Sequence, residues 1–398
     1  MEKILLISPV IPDANGGGRE KRAHQWVNRL SRMYEVSILI INSEVSKDKE
    51  EKLLFNSVEK VDFIVIQPAS KKEWFGALSS VLQLVTGNPK GLLTLLHEWI
   101  PLNDAIKHEV AALFKGKQFD LILCFRLYLK KYALYVKKIT SAKTIHLDID
   151  DIESSTRLKI GTLALKKQKY KRAFIYLLSS LLFRIEEKHM NSAAKDVYVC
   201  SNEDQSLLSK RYPNLNVMVM PNRIFGSPKS LPLLECPYQL LFVGSLHYFP
   251  NEEAVLWLVQ KVLPRLRELD NRWALHVAGF GASEALTGLL LEQDGVRFHG
   301  YVESLEDVYQ QAAIVVSPLH AGGGTKLKVL EAMWYGRPLI ATYESVYGLG
   351  LIPDVHYLAA ETADDFVNAC QKIVQNSMVA KELTAASIRI MEENYIYE

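Results

Sequence analysis

Short apolar runs recur along this chain, and the stretches between most of them carry apolar residues at helical spacing. In the first half ILLISPV (Ile4 to Val10), VSILIIN (Val36 to Asn42) and VDFIVIQ (Val61 to Gln67) predict strands. DLILCF (Asp120 to Phe125), TIHLDI (Thr144 to Ile149), DVYVCS (Asp196 to Ser201) and NVMVM (Asn216 to Met220) predict further ones. A turn at Asn15-Gly16-Gly17-Gly18 leads into a predicted helix from Arg19 to Met33. Residues 223–237, with Pro228, Pro232 and Pro237 and no periodicity, read as a linker. The pattern then restarts with QLLFVGS (Gln239 to Ser245), a turn through Pro250-Asn251 and a helix from Glu252 to Leu269. WALHVAG, VRFHG, AIVVSPL and PLIAT supply later strands. Strand and helix alternating in this way predict parallel, doubly wound sheets. The expected class is α/β, with two Rossmann-like domains (1–222 and 238–398) facing across a ligand-binding cleft.

The segment from Gly322 to Met333 carries the sharpest chemistry. Three glycines stand between an apolar strand (Ala313 to Leu319) and a helix whose apolar residues are Leu327, Leu330, Met333 and Trp334. Thr325 occupies the expected N-cap position. A helix start of this kind offers backbone N–H groups near Lys326 to Lys328 to an anion, and glycines let that anion approach. Glu331, about one turn further on, is placed to accept hydrogen bonds from neighbouring hydroxyls such as those of a ribose. Phosphate plus ribose points to a nucleotide. The competing reading is a turn that only packs a helix tightly against a sheet.

Composition narrows the class. At 398 residues two domains are expected, at roughly 100–200 residues each. The chain is 48% hydrophobic and 23% charged with net charge +2, which suits a globular protein and gives no global attraction for nucleic acid. Cys124, Cys200, Cys236 and Cys370 lie far apart, without metal-ligand spacing, and read as free thiols in a reducing compartment. The opening MEKILLISPVIP is broken by Pro9, Pro12 and Asp13 and reads as a buried strand rather than a signal peptide. FIYLLSSLLF (Phe174 to Phe183) falls far short of the ~20 residues that span a bilayer. The expected location is cytoplasmic. The basic run KKQKYKR (Lys166 to Arg172) before that apolar stretch fits either an anionic membrane surface or the solvated end of a packed helix.

Several motifs, in order, resemble those of the GT-B glycosyltransferases, and within them glycosyltransferase family 4 of bacterial surface polysaccharide synthesis. They are ISPVIPDANGGG, HLDIDDIES, CSNEDQSLL with VMPN, FVGSLHYFPNEEA, and SPLHAGGGTKLKVLEAMWYGRPLIAT. The resemblance covers nearly the whole chain. It implies a donor site built from Gly244, Ser245, Gly323, Gly324, Thr325, Lys326, Leu327 and Glu331, with Glu331 on the donor ribose. The family's partner glutamate, seven residues earlier, falls on Gly323, so sugar recognition is expected from backbone N–H groups at Gly324 and Thr325. The basic residue that many members carry after the first C-terminal strand is also absent from Phe242 to Tyr248. Lys326 and Lys328 are the nearest replacements. Lys328 is the stronger candidate, against the reading of a solvated helix lysine.

In the N-terminal half, Gly16, Gly17 and Gly18 match the family's first glycine loop, with Arg19 just beyond. The acids Asp148, Asp150, Asp151 and Glu153 follow a strand, where relatives often place a catalytic histidine or aspartate. Asp150 and Asp151 are the catalytic candidates, His146 reads as packed, and a plain acidic helix start is the alternative. Relatives commonly continue past a segment like EENYIYE with a helix that crosses back onto the first domain. The resemblance implies retaining, metal-independent transfer from a UDP- or GDP-linked sugar to a glycan or lipid-linked acceptor. The alternatives are a nucleotide-sugar epimerase and an inactive nucleotide-binding subunit of the same fold.

Overall fold

The computed structural model describes residues 2–41, 61–66 and 102–397. The chain divides into two compact units, Met1–Pro221 and Asn222–Glu398.

Among the described residues, unit 1 is built on seven strands. They are β1 (Lys3–Ser8), β2 (Glu35–Ile41), β3 (Val61–Ile66), β4 (Leu121–Phe125), β5 (Thr144–Asp150), β6 (Asp196–Val199) and β7 (Asn216–Val219). All pair in parallel, in the order β3-β2-β1-β4-β5-β6-β7. Alternate residues of β1 feed opposite faces. Leu5 and Ile7 pack with Tyr132 and Val136, whereas Ile4 and Leu6 pack with Trp26 and Val27. A strand covered on both faces must be apolar throughout, which explains the unbroken runs in the sequence.

Unit 2 repeats the plan. Its strands are β8 (Ile224–Phe225), β9 (Gln239–Val243), β10 (Ala274–Ala278), β11 (Val296–Gly300), β12 (Ile314–Ser317), β13 (Leu339–Ala341), β14 (Leu358–Ala359) and β15 (Ile396–Tyr397). Six of them form a parallel sheet in the order β11-β10-β9-β12-β13-β14. Strand order reverses at β1/β4 in unit 1 and at β9/β12 in unit 2. Such a reversal opens a crevice beyond the carboxyl ends of the strands, where ligands bind in open α/β sheets.

Two predicted elements differ in the structure. The helix expected from Glu252 to Leu269 is interrupted, running as Phe249–Trp257, a π-helical turn Leu258–Val262, and Leu263–Leu269. Pro264 has no N–H to return to the turn before it, and the wider turn absorbs the break. The segment 223–237, expected as a linker, is bound onto unit 2. Within it β8 pairs with β15, and the carbonyls of Leu231 and Pro232 accept hydrogen bonds from the Arg337 guanidinium at 3.2 and 2.7 Å. Its prolines suppress regular structure without preventing packing.

Candidate functional site

The reversal point of unit 2 brings two distant glycine turns together. One follows β9 at Gly244 and Ser245; the other follows β12 at Gly322 to Gly324. Lys328, from the helix Leu327–Trp334, lies over the first turn. A Cβ on Gly244 would stand 2.7 Å from its Nζ and 2.8 Å from Asn251 Nδ2. Only a glycine leaves room for both. Lys328 Nζ donates to Asn251 Oδ1 at 2.7 Å, and Asn251 Nδ2 donates to the Ser245 carbonyl at 2.8 Å. The ammonium also lies 4.2 Å from the Phe242 ring centroid. Lys328 is therefore held against the carboxyl end of β9, which rules out the solvated helix lysine. It stands beside the turn whose own sequence lacks a basic residue.

Burial lowers Lys328 to about 7, while the nearby Glu331 charge works in the opposite direction. A group so poised gains most from an anion arriving beside it, because the anion restores its proton. Glu331 is buried one turn along the same helix.

The glycine turn itself departs from expectation at its cap. Helix Leu327–Trp334 begins one residue later than predicted, with Lys326 at the N-cap position and no capping side chain. Thr325 is instead buried and accepts a hydrogen bond from Asn222 Nδ2 at 2.9 Å. Gly324 has φ +56°, in the left-handed region that favours glycine. Lys326 Nζ turns back to the Gly324 carbonyl at 2.9 Å and lies 3.7 Å from Glu344. Leu327 packs its side chain on the core around Val329 and Met333, so only its backbone faces the helix start. Helix Phe249–Trp257, after β9, likewise has no capping side chain. By contrast Ser283, Ser304, Thr342, Thr362 and Asn376 cap other helices of this unit. At Phe249–Trp257 Pro250 has no N–H and the Asn251 and Glu252 N–H groups bond the Tyr248 carbonyl, so the start of Leu327–Trp334 is the better placed of the two for an external acceptor. Ser245 Oγ lies 2.8 Å from His247 Nδ1, so that hydroxyl is already engaged by the chain.

Replacing Glu331 with alanine is expected to weaken nucleoside-diphosphate binding by about 1.5–3 kcal/mol, the range for a lost hydrogen bond to a charged acceptor. Calorimetry on the folded variant checks this, and unchanged affinity removes Glu331 from the site.

In unit 1, Gly17 is the N-cap of helix Gly18–Ser31, again without a capping side chain. The acidic group expected after the strand begins within it, since β5 runs through Asp150, and it is buried among arginines. Asp148 accepts from Arg22 Nε and Nη2, both at 2.7 Å, and from the Trp26 indole. Asp150, at φ +62°, pairs with Arg126 Nη2 at 2.7 Å. Asp151 pairs with Arg126 Nη1 at 2.8 Å and accepts from Thr156 Oγ1 at 2.6 Å. Glu153 lies between Arg126 and Arg157, at 3.4 and 3.1 Å. The cation at the centre of this acidic group is thus the Arg126 guanidinium. Both candidate aspartates are held by that guanidinium. His146 sits 3.1 Å from Asp196, with burial lowering its pKa against the pull of that carboxylate.

Sequence reading missed Asn251 and Arg126. Asn251 stood inside the FPNEEA motif as a turn residue, and Arg126 directly follows the apolar β4 run. Arg126 is a polar residue just past a strand end, which was the available signal, whereas Asn251 lies in the first turn of the next helix and had none.

Comparison with known proteins agrees with this geometry. Residues 237–376 match the family model described as Glycosyl transferases group 1. An uncharacterized 44.6 kDa protein in the cps region of Klebsiella pneumoniae is 23% identical over 312 residues, covering 75% of this chain and 76% of that protein. Among solved structures, TarM superposes with TM-score 0.68 at 12% identity, covering 99% of this chain and 96% of its own. HepE of Anabaena, crystallised in complex with UDP and glucose, gives TM-score 0.64 at 13% identity, covering 100% and 96%. The chain has the GT-B fold, and residues 237–376 of its C-terminal unit carry the match to the Glycosyl transferases group 1 family model.

Proposed function

We propose that this protein is a retaining glycosyltransferase. It moves a hexose from a UDP- or GDP-linked donor to a glycan or lipid-linked acceptor of surface polysaccharide synthesis, at the inner face of a membrane. The observation that carries the reading is the Lys328 ammonium held over the Gly244 turn beside an uncapped helix start. The donor diphosphate lies against that helix start and Lys328, and Glu331 holds the ribose. Gly323, Gly324 and Thr325 offer backbone N–H groups to the sugar.

The reaction breaks the bond between the anomeric carbon and the phosphate oxygen and forms one to the acceptor oxygen on the same face. The departing phosphate takes the acceptor's proton. The protein then has to orient the reactants and stabilise the leaving charge, which helix N–H groups and a lysine supply. No step needs a metal. The cps-region relative and HepE with UDP and glucose support the donor class and the setting.

The test is release of nucleoside diphosphate from UDP- and GDP-sugars in the presence of acceptor extracts, with and without chelator. Transfer with retained anomeric configuration, insensitive to chelator, is expected. Epimerised sugar without diphosphate release makes the protein an epimerase, and tight binding without turnover makes it a binding subunit. Activity lost with chelator and restored by magnesium or manganese overturns the metal-free mechanism.

A further inference from the structure

Helices Glu153–Lys166 and Tyr170–Lys188 form an antiparallel hairpin in unit 1. Gly161 lets them approach closely, since a Cβ there would meet Leu177 at 2.9 Å. The Ser180 hydroxyl donates to the Ser154 carbonyl at 2.7 Å, and buried Glu187 accepts from the Ser154 N–H at 3.1 Å. This side of the second helix is fully used, with Ile175, Ser179, Phe183 and Glu187 buried.

The opposite side is apolar too. Tyr170, Phe174, Leu181 and Ile185 are 66%, 44%, 58% and 46% exposed. At about 100° per residue these positions fall within about 60° of arc, in a stripe about 22 Å long. A helix built only to pack has no reason to be apolar on its solvent side. The hairpin tip at one end of the stripe carries Lys166, Lys167, Lys169, Lys171 and Arg172, all exposed and with no acid among them. Lys188 stands exposed at the other end. The helix's two acids face inward, Glu186 bonded to Lys130 at 2.7 Å and Glu187 to Arg211 at 3.1 Å.

We propose that this stripe lies flat on an anionic lipid surface, with the apolar side chains in the headgroup boundary and the basic tip against lipid phosphates. A narrow apolar stripe ended by cations is complementary to anionic headgroups over hydrocarbon. A second copy of the chain would bring the same cations against each other. Among the described residues no helix is long and apolar enough to cross a membrane, so the hairpin lies on the surface. The inference rests on the reading above only for its purpose, delivery of the enzyme to a lipid-linked acceptor.

Flotation of the full chain with phosphatidylcholine vesicles, with or without one-third phosphatidylglycerol, tests it. At low salt the protein is expected to float with the anionic vesicles and not the neutral ones, and less so at physiological salt. The pairs Leu181→Ser with Ile185→Ser, and Lys169→Glu with Lys171→Glu, are each expected to lower vesicle partitioning at least about tenfold. Circular dichroism verifies that both variants remain folded. No flotation of the parent chain at low salt overturns the proposal, as does a folded serine variant that floats like the parent. A dimer that the serine pair dissociates, without vesicle binding, reassigns the stripe to self-association. Nucleoside-diphosphate affinity, measured without vesicles, stays intact if only this proposal fails and is missing if the donor reading fails.

Discussion

Lys328→Ala is expected to lower turnover by roughly 10²–10³-fold, the usual loss for one donor that stabilises a developing oxyanion, with a much smaller change in donor affinity. The asymmetry follows from where charge appears. In the ground state the bridging oxygen is still bonded to the sugar and bears little charge, and in the proposed pose helix N–H groups already meet the diphosphate. As the bond breaks, the bridging oxygen gains charge, and an ammonium fixed there acts mainly on the transition state. Lys328 is fixed there by Asn251 at 2.7 Å and by the closeness of the Gly244 turn. Steady-state kinetics beside calorimetric affinity separates the two effects, and normal turnover in the alanine variant removes Lys328 from the mechanism.

The same lysine predicts a pH dependence with a definite sign. In the ligand-free protein burial holds it at about 7, and a bound diphosphate raises it. The bound form then keeps a proton that the unbound form releases, so the lysine's contribution is complete below about 7. The transition state gains most from that proton, so kcat/KM falls by up to roughly tenfold per unit as pH rises above about 7, with a much smaller drop in donor affinity. Lys328→Arg, which stays charged throughout, is expected to flatten this profile between pH 7 and 9. A parent profile already flat over that range contradicts a lysine titrating in the site.

Much of this architecture was legible in the chain. Both sheets are covered on two faces, so their strands stand out as unbroken apolar runs, and glycines mark the turns after β1, β9 and β12. Residues whose role depends on a partner far away in sequence were harder to read. Asn251 gains its meaning from Lys328, 77 positions on, and no local period announces such a pair. Thr325 had the right type and place for a cap, but Asn222, 103 positions away, takes its hydroxyl instead. The acids at the end of β5 looked like an open cluster because the arginines that fill it come from elsewhere, Arg22 from helix Gly18–Ser31 and Arg126 from the end of β4. Net pairing of charge is invisible until the fold brings those segments together.

That pairing sets a large expected stability effect. Arg22→Met should destabilise unit 1 by about 3–5 kcal/mol, the range for breaking a buried ion pair from one side. Both side chains of the Arg22–Asp148 pair are fully buried. Burial alone would lower Arg22, yet Asp148 and Asp150 outweigh it and keep the guanidinium firmly charged. Methionine fills most of the volume but leaves the Asp148 carboxylate with only the Trp26 indole and the Asp150 N–H. Adding Asp148→Asn should restore part of the loss, since the stranded charge is gone. Urea denaturation of the parent, single and double variants at pH 7 measures each quantity. A single variant that loses less than about 1 kcal/mol makes Arg22–Asp148 an ordinary solvated pair rather than the charge that ties helix Gly18–Ser31 to the ends of β5 and β7.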